Sequence, residues 1–250
     1  MQLRDKHIVI TGAGSGVGAA IARLLDQHGA KLTLLGRRVG AVEAVASSLR
    51  QAQALAGDVT SQDSLRGALD QAKTAFGPID MVVANAGAVE SIAFHKMSEA
   101  DWQQCIAVNL SGCFNTFQAC VDDMLLSGQG AMVAISSTAG LRGYPYVSAY
   151  TAAKHGVIGL VKALALELAG KNIRVNAVCP GYTRTPLLQG SIQRIADTTG
   201  CSLEQAEAHL VKDNPQGRLI EAQEVAQSVL YLLLQRSING QALTINGGEF

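Results

Sequence analysis

The sequence predicts an α/β protein, a doubly wound parallel sheet of seven strands with helices on both faces, in one domain over residues 1–250. Three observations point there. Short apolar runs alternate with longer segments of helical period. A glycine-rich turn follows the first of those runs directly. Hydrophobic residues make up 48% of the chain and charged ones 16%, enough to fill one large core, and no repeat, low-complexity tract or Pro/Ser-rich linker divides it.

Taken in order, the strand-like runs fall at 7–11, 31–36, 53–57, 80–84, 131–135, 174–178 and 242–245. Their alternation with about six helices implies right-handed βαβ units. The first helix opens from the glycine turn at Gly16 and stops before Gly29. Thr60-Ser61 caps the next, which runs to Phe76 and ends at Gly77-Pro78. Another opens at Ser98 and is expected to continue to 126, and the apolar spacing at Val157, Leu160, Val161, Leu164 and Leu168 predicts a helix over 147–168. Ser202 with Gln205 fits a capping box, and 221–235 forms the last helix. Residues 186–214 read as two short amphipathic helices with Gly190 and Gly200 as candidate hinges. They form either a lid over a pocket or a stabilising hairpin; departure from the carboxyl end of a strand favours the lid.

Composition excludes several function classes. Twenty basic and twenty acidic residues cancel, and no run of like charge offers a footprint for nucleic acid or an anionic membrane. No apolar run approaches the ~18 residues of a spanning helix, and the start, Met1-Gln2-Leu3-Arg4, lacks an apolar leader region, so the expectation is a cytoplasmic protein. Five cysteines without C-x-x-C spacing argue for reduced thiols rather than disulfides or zinc.

The turn after the first strand is T-G-x-x-x-G-x-G over 11–18: Thr11, Gly12, Ser15, Gly16, Val17 and Gly18, with Gly14 inside it. Glycines let backbone approach a pyrophosphate, and a helix N-terminus attracts its charge. The second strand ends in Arg37-Arg38, where a free ribose 2′-hydroxyl would call for an acidic residue. A guanidinium fork suits a 2′-phosphate, which predicts NADP with NAD as the alternative. Ordinary solvated helix-start arginines are the plainer reading. Asp58, followed by Val59, is placed either to meet an adenine amino group or to cap the helix near Thr60; both can hold.

Tyr150 and Lys154 stand four apart on the predicted helix and leave one face. An ammonium beside a phenol favours the phenolate, so Tyr150 is a candidate acid/base with a lowered pKa. A surface pair with a snorkelling lysine stem is the plainer reading. The fifth strand ends at Ser136-Ser137, which puts a hydroxyl at the carboxyl edge of the sheet.

These motifs in this order resemble the short-chain dehydrogenase/reductase superfamily over essentially the whole chain, from Thr11 to Gly248. The resemblance implies a Rossmann-type fold and a catalytic set of Asn109, Ser137, Tyr150 and Lys154. Ser137 would position a carbonyl, Tyr150 would exchange its proton, and Lys154 would lower the tyrosine pKa and hold the nicotinamide ribose. Asn109 would keep a water-linked proton route open. It also implies that Asn85, Ala86 and Gly87 line the cofactor cleft, and that Pro180, Gly181, Thr183 and Thr185 seat the carboxamide. Two departures stand out. Ala84 replaces the first Asn of the usual Asn-Asn-Ala-Gly run and is expected to weaken a sheet-linking hydrogen bond; Ser15 occupies a position that is basic in many NADP-preferring members.

Substrate choice is expected to rest on Ser137, Leu141, Tyr144, Tyr182, Leu187 and Leu188, with His95, Arg142 and Tyr146 nearby. A mostly apolar wall with aromatic hydroxyls suits an acyl thioester or a cyclic ketone. The leading expectation is an NADP(H)-dependent 3-oxoacyl thioester reductase of acyl-CoA type, similar to 3-oxoacyl thioester reductases and 3-hydroxyacyl dehydrogenases. The alternatives are an NAD-dependent dehydrogenase of a cyclic, steroid-like or aromatic alcohol, and a non-catalytic nicotinamide-redox sensor. The helices at 98–126 and 147–168 and the terminal 246–248 resemble family subunit interfaces, which implies a homotetramer.

Overall fold

The structure is a computed structural model that describes residues 3–212 and 214–250. Met1 and Gln2 of the chain start and Asp213 of the 186–214 segment lie outside the described residues. Seven strands form one parallel sheet: β1 (His7–Thr11), β2 (Lys31–Gly36), β3 (Ala52–Ala56), β4 (Met81–Ala84), β5 (Gly130–Ile135), β6 (Ile173–Pro180) and β9 (Ala242–Ile245). Their spatial order is β3-β2-β1-β4-β5-β6-β9. The order of succession reverses between β1 and β4, the place where doubly wound sheets open a crevice at their carboxyl edge.

Each strand feeds two cores, as its two-residue period requires. Ile8, Ile10, Leu32, Leu34, Met81 and Val83 face one side and pack with α1 (Gly16–Gln27), α2 (Val39–Ala46) and α9 (Ala222–Leu234). Val9, Leu35, Val82, Met132 and Ala134 face the other, under α3 (Gln62–Phe76), α5 (Gly112–Ser127) and α6 (Ser148–Leu168). Burying both faces explains why the strands read as continuous apolar runs.

Most helix starts lie where the capping residues place them. Ser61 accepts from the Ser64 amide at α3. Capping boxes open α4 (Glu99–Ile106) with Ser98 and Asp101, α8 (Leu203–Val211) with Ser202 and Gln205, and α9 with Glu221 and Glu224. Arg174, buried on β6, closes the other end of α9 by donating to the carbonyls of Leu232, Leu233 and Gln235.

Four expectations need correction. The helix α2 was not expected; its start, Arg38, makes no side-chain cap and its Val39, Val42 and Val45 are β-branched. A two-residue strand pair, β7 (Thr183–Arg184) with β8 (Ile220–Glu221), ties the chain just ahead of residue 186 to the start of α9. The helix expected from Ser98 to 126 is broken by a π-helical turn at Ala107–Ser111, because the Asn109 side chain donates to the Cys105 carbonyl that the α-helical ladder would use. Residues 186–214 do hold two helices, α7 (Pro186–Thr199) and α8, but Gly190 lies inside α7; only Gly200, with φ +72°, ends it. The five cysteines are free, with Cys113, Cys120 and Cys179 buried and Cys105 and Cys201 half-buried.

Candidate active site

A cleft of about 870 Å³ runs along the carboxyl edge of the sheet. That is near the upper end of the ~300–1,000 Å³ usual for small-molecule sites, which suits a dinucleotide with a second reactant.

One end is built by the glycine turn between β1 and α1. Gly12 and Gly16 hold φ of +66° and +54°, and a Cβ on Gly12 would stand 2.8 Å from the Ala86 Cα. Gly12, Ser15, Gly16 and Val17 line the cleft; Thr11 and Gly18 stand behind it and brace the turn. Thr11 Oγ1 accepts from the amides of Asn85 and Ala86, while Asn85 Nδ2 donates to the carbonyls of Thr11 and Gly12 at 2.9 and 3.1 Å. The link between the tips of β1 and β4 is therefore made by Asn85 and Thr11, and Ala84 is simply buried core. A Cβ on Gly18 would lie 2.5 Å from the Gly12 carbonyl oxygen, so this position must be bare.

Arg37 and Arg38 line the cleft at the end of β2, both exposed. Asp58 and Val59 face them from the end of β3. Asp58 Oδ1 accepts from the Thr60 amide and hydroxyl, which with the nearby Arg37 guanidinium holds its carboxyl below the usual range. Asp58 thus fixes the entry to α3, though Ser61 makes the cap. Asn85, Ala86 and Gly87 form the floor, and Pro180, Gly181, Thr183 and Thr185 the far wall. Thr185 caps α7 by accepting from the Leu188 amide, and its methyl lies 3.1 Å from where a Cβ on Gly16 would be, so the start of α7 is seated on the glycine turn.

The other end holds Ser137, Tyr150 and Lys154. Ser137 follows β5 and hydrogen-bonds the Tyr150 phenol; its Oγ also accepts from the Ala139 amide at 3.1 Å. Ser136 points the other way and donates to the Lys154 carbonyl. Lys154, buried on α6, donates from Nζ to the Ile135 carbonyl at 2.9 Å, with Nζ 5.5 Å from the centroid of the Tyr150 ring. Asn109 does not line the cleft. It clasps Ala88, donating to its carbonyl at 2.8 Å and accepting from its amide at 3.2 Å, with Oδ1 3.0 Å from a Cβ placed on Gly87.

The electrostatics correct one expectation. Burial among the cleft walls pushes the Tyr150 phenol up to about 12, against the Ser137 hydrogen bond that lowers it. Lys154 does not act as the expected depressor. Burial pushes its own ammonium down to about 8, and Nζ is committed to a backbone carbonyl. At neutral pH the phenol keeps its proton, the state in which it can donate to a carbonyl oxygen.

Tyr144, Tyr182, Leu187 and Leu188 border the same end of the cleft, whereas Leu141 lies off its wall, 36% exposed. Sequence reasoning missed Glu249, whose buried carboxylate accepts from the Tyr144 hydroxyl at 2.7 Å. Nothing at the second-last residue of a chain signals such a contact. The groups present fit a nicotinamide dinucleotide: bare glycine backbone at a helix N-terminus, two open guanidinium groups near the adenosine end, and a phenol with a serine hydroxyl at the far end.

The model of the short chain dehydrogenase family matches residues 6–195. The chain is 36% identical to the 3-oxoacyl-acyl-carrier-protein reductase FabG of Thermotoga maritima over 257 residues, covering 99% of each. It is likewise 36% identical to the cis-4-hydroxycyclohexanecarboxylate dehydrogenase of Sinomonas cyclohexanicum over 251 residues, covering 98% of this chain and 96% of that one. Among solved structures, a point variant of the actinorhodin polyketide ketoreductase with NADPH superposes with a TM-score of 0.94 at 33% identity, covering 100% of this chain and 99% of that one.

Proposed function

The chain belongs to the short chain dehydrogenase family, an oxidoreductase family that uses NAD(P), and from that premise we propose that it interconverts a ketone and a secondary alcohol with NADP(H), its leading substrate a 3-oxoacyl thioester of acyl-CoA type. The observation that carries this is the protonated Tyr150 phenol hydrogen-bonded to Ser137 at one end of a cleft whose other end is the glycine turn and Arg37-Arg38.

When bound, the nicotinamide supplies or takes the hydride. Tyr150 donates its proton to the carbonyl oxygen as negative charge develops there, and Ser137 gives that oxygen a second hydroxyl. Lys154, still largely an ammonium at neutral pH, stands beside the Tyr150 ring with Nζ on the Ile135 carbonyl, placed to hold the nicotinamide ribose. Asn109 fixes the backbone at Ala88 beside Lys154, the floor over which these groups meet.

Arg37 and Arg38 support NADP over NAD, since two exposed cations at the ribose end match a 2′-phosphate. The second reading, an NAD-dependent dehydrogenase of a cyclic alcohol, is favoured by Ser15 in place of a basic residue and by the similarity to an enzyme of a cyclohexane alcohol. A redox sensor without turnover would not need the intact Ser137-Tyr150-Lys154 set. We also assign the chain to the cytoplasm; no helix among the described residues is long and apolar enough to cross a membrane. Homotetramer formation is supported by exposed Phe114, Leu125 and Leu126 on α5 and Leu166 on α6, and light scattering at monomer mass contradicts it.

The test is a panel of 3-oxoacyl-CoA esters and cyclic ketones run with NADPH and NADH, and the matching alcohols with NADP and NAD, followed at the reduced-nicotinamide absorbance band. Turnover fastest with a 3-oxoacyl-CoA and NADPH is expected. No turnover with any member favours the sensor. Tyr150→Phe is expected to lower kcat by about 10²–10⁴-fold with cofactor binding retained. Arg37→Ala is expected to weaken NADPH selectively; equal loss for both cofactors means the 2′-phosphate lies elsewhere.

A further inference from the structure

Glu249 and Phe250 pack against Arg142 and Tyr144, beside the cleft wall. The Glu249 side chain is 6% exposed, deeply buried for a carboxylate so near a chain end. It accepts from the Tyr144 hydroxyl at 2.7 Å and forms an ion pair with the Arg142 guanidinium, N to O 3.2 Å. That guanidinium lies between two rings, 4.8 Å from the centroid of Tyr144 and 5.2 Å from that of Phe250. Tyr144 in turn meets Tyr182 edge-on, with centroids 6.3 Å apart, and both rings border the cleft beside Ser137 and Tyr150. The tail is held as well: Asn246 Oδ1 accepts from the Gly248 amide, and Gly247 is packed so closely on Asn214, after α8, that a Cβ there would overlap its side chain.

Two hydrogen bonds, with Glu249 and with the Thr138 side chain, a cation–π contact and an edge-on ring thus bear on one aromatic side chain. Tyr144 otherwise sits in the loop before α6, where Tyr146 has φ +65°, a conformation that L residues rarely adopt. A loop with such backbone needs outside contacts to hold one arrangement. The Tyr144 hydroxyl is held by Glu249 and by the Thr138 side chain, and its ring borders the cleft. The aromatic pair Tyr144–Tyr182 then sets how wide a carbonyl substrate can be.

We propose that Glu249 is a specificity-determining positioning residue: through the Tyr144 hydroxyl and Arg142 it fixes the Tyr144–Tyr182 wall against which the carbonyl substrate is placed. This rests on the cleft being a carbonyl site, as proposed above. Glu249 touches no reacting atom; its Oε2 lies 3.7 Å from where a Cβ on Gly181 would be, but it is far in the sequence of contacts from the glycine turn and Arg37-Arg38, so its main effect falls on carbonyl recognition.

The experiment measures KM and kcat for acetoacetyl-CoA and for cyclohexanone, and KM for NADPH, in the wild type, Glu249→Ala, Glu249→Gln, Tyr144→Phe and the Ala/Phe double variant. Glu249→Ala is expected to raise carbonyl KM about tenfold, the effect of losing one charge-assisted hydrogen bond, with a much smaller change in NADPH KM. Glu249→Gln, whose amide oxygen still accepts from Tyr144, is expected to restore most of the loss. Because Glu249 acts through Tyr144, the double variant is expected to match the worse single one, not the product of both. Unchanged carbonyl KM in Glu249→Ala overturns the inference, as do fully multiplicative effects or an equal rise in NADPH KM. If Glu249→Ala does not fold, Tyr144→Phe decides alone, since it removes one oxygen: unchanged carbonyl KM overturns the proposal. Absence of turnover in the wild type would instead refute the functional reading on which it rests.

Discussion

Lys154 offers a direct measurement of what the buried site does to charge. Its side chain is 4% exposed, its Nζ has the Ile135 carbonyl as hydrogen-bond acceptor, and no carboxylate pairs with it among the described residues. Desolvation is the largest cause of its shift from 10.5 to about 8, outweighing the neighbouring thiols of Cys113, Cys179 and Cys105. That difference corresponds to roughly 3 kcal/mol of preference for the neutral amine. A lysine whose native pKa lies below its unfolded one burdens the fold while charged. From this group alone, stability is therefore lowest below pH 8 and recovers as pH rises toward 10.5. The assay is NMR of protein carrying ¹³Cε-lysine, titrated from pH 6 to 11; eight lysines are present, and Lys154→Met assigns the signal by its loss. One resonance is expected to titrate near pH 8. If every lysine signal titrates above pH 10, the ammonium is better solvated or paired than its burial implies, which refutes a charge state set by desolvation. Lys154→Met removes the charge but strands the Ile135 carbonyl, which costs about 1–3 kcal/mol, so only a small net change in stability is expected.

Three further outcomes follow from particular contacts. Gly18→Ala drives a methyl to 2.5 Å from the Gly12 oxygen and 2.6 Å from Asn85 Nδ2, and is expected to cost about 1–3 kcal/mol and weaken cofactor binding, read as Tm and as cofactor Kd; an unchanged Tm would be contrary. Arg174→Met leaves the carbonyls of Leu232, Leu233 and Gln235 without their cap, and urea unfolding is expected to register a loss of about 2–4 kcal/mol. His7 is held below its ordinary pKa chiefly by burial, between Gly77 O and Thr33 Oγ1. The unfolded chain then takes up its proton first as pH falls below 6.5, so stability declines there, and His7→Gln is expected to flatten that decline in a Tm series from pH 7.5 to 5; an equal slope in both proteins refutes it.

Much of this site was legible because its residues announce themselves locally. The glycine turn, the Tyr150-Lys154 spacing and Ser137 at a strand end carry their geometry in a few consecutive positions. What stayed hidden depends on distant parts of the chain. The direction of the Tyr150 shift is set by burial, which no spacing reveals. The helix α2 has neither a capping side chain nor a helical stripe free of β-branched residues. The Glu249 contact with Tyr144 spans 105 positions, and the two-residue pairing of β7 with β8 is too short for any period. Gly200 behaves as a helix stop, while Gly190 shows that a glycine inside a good helical pattern need not interrupt it.

The π-helical turn at Ala107–Ser111 carries one residue more than a regular helix would hold there. Each residue of an α-helix advances the azimuth by roughly 100°. Cys113, Phe117, Cys120 and Met124 all point into the sheet from the turn's C-terminal side, while Asn109 points to Ala88 from within it. At that advance an unbroken helix would set Asn109 on the same face as these four, within roughly 20–80° of them, pointing at the sheet. Shortening the chain by a single position between 107 and 111 would draw Asn109 back onto that face and away from Ala88, so the surplus residue acts as a phase shifter that lets one rod serve both the interior and the floor of the cleft.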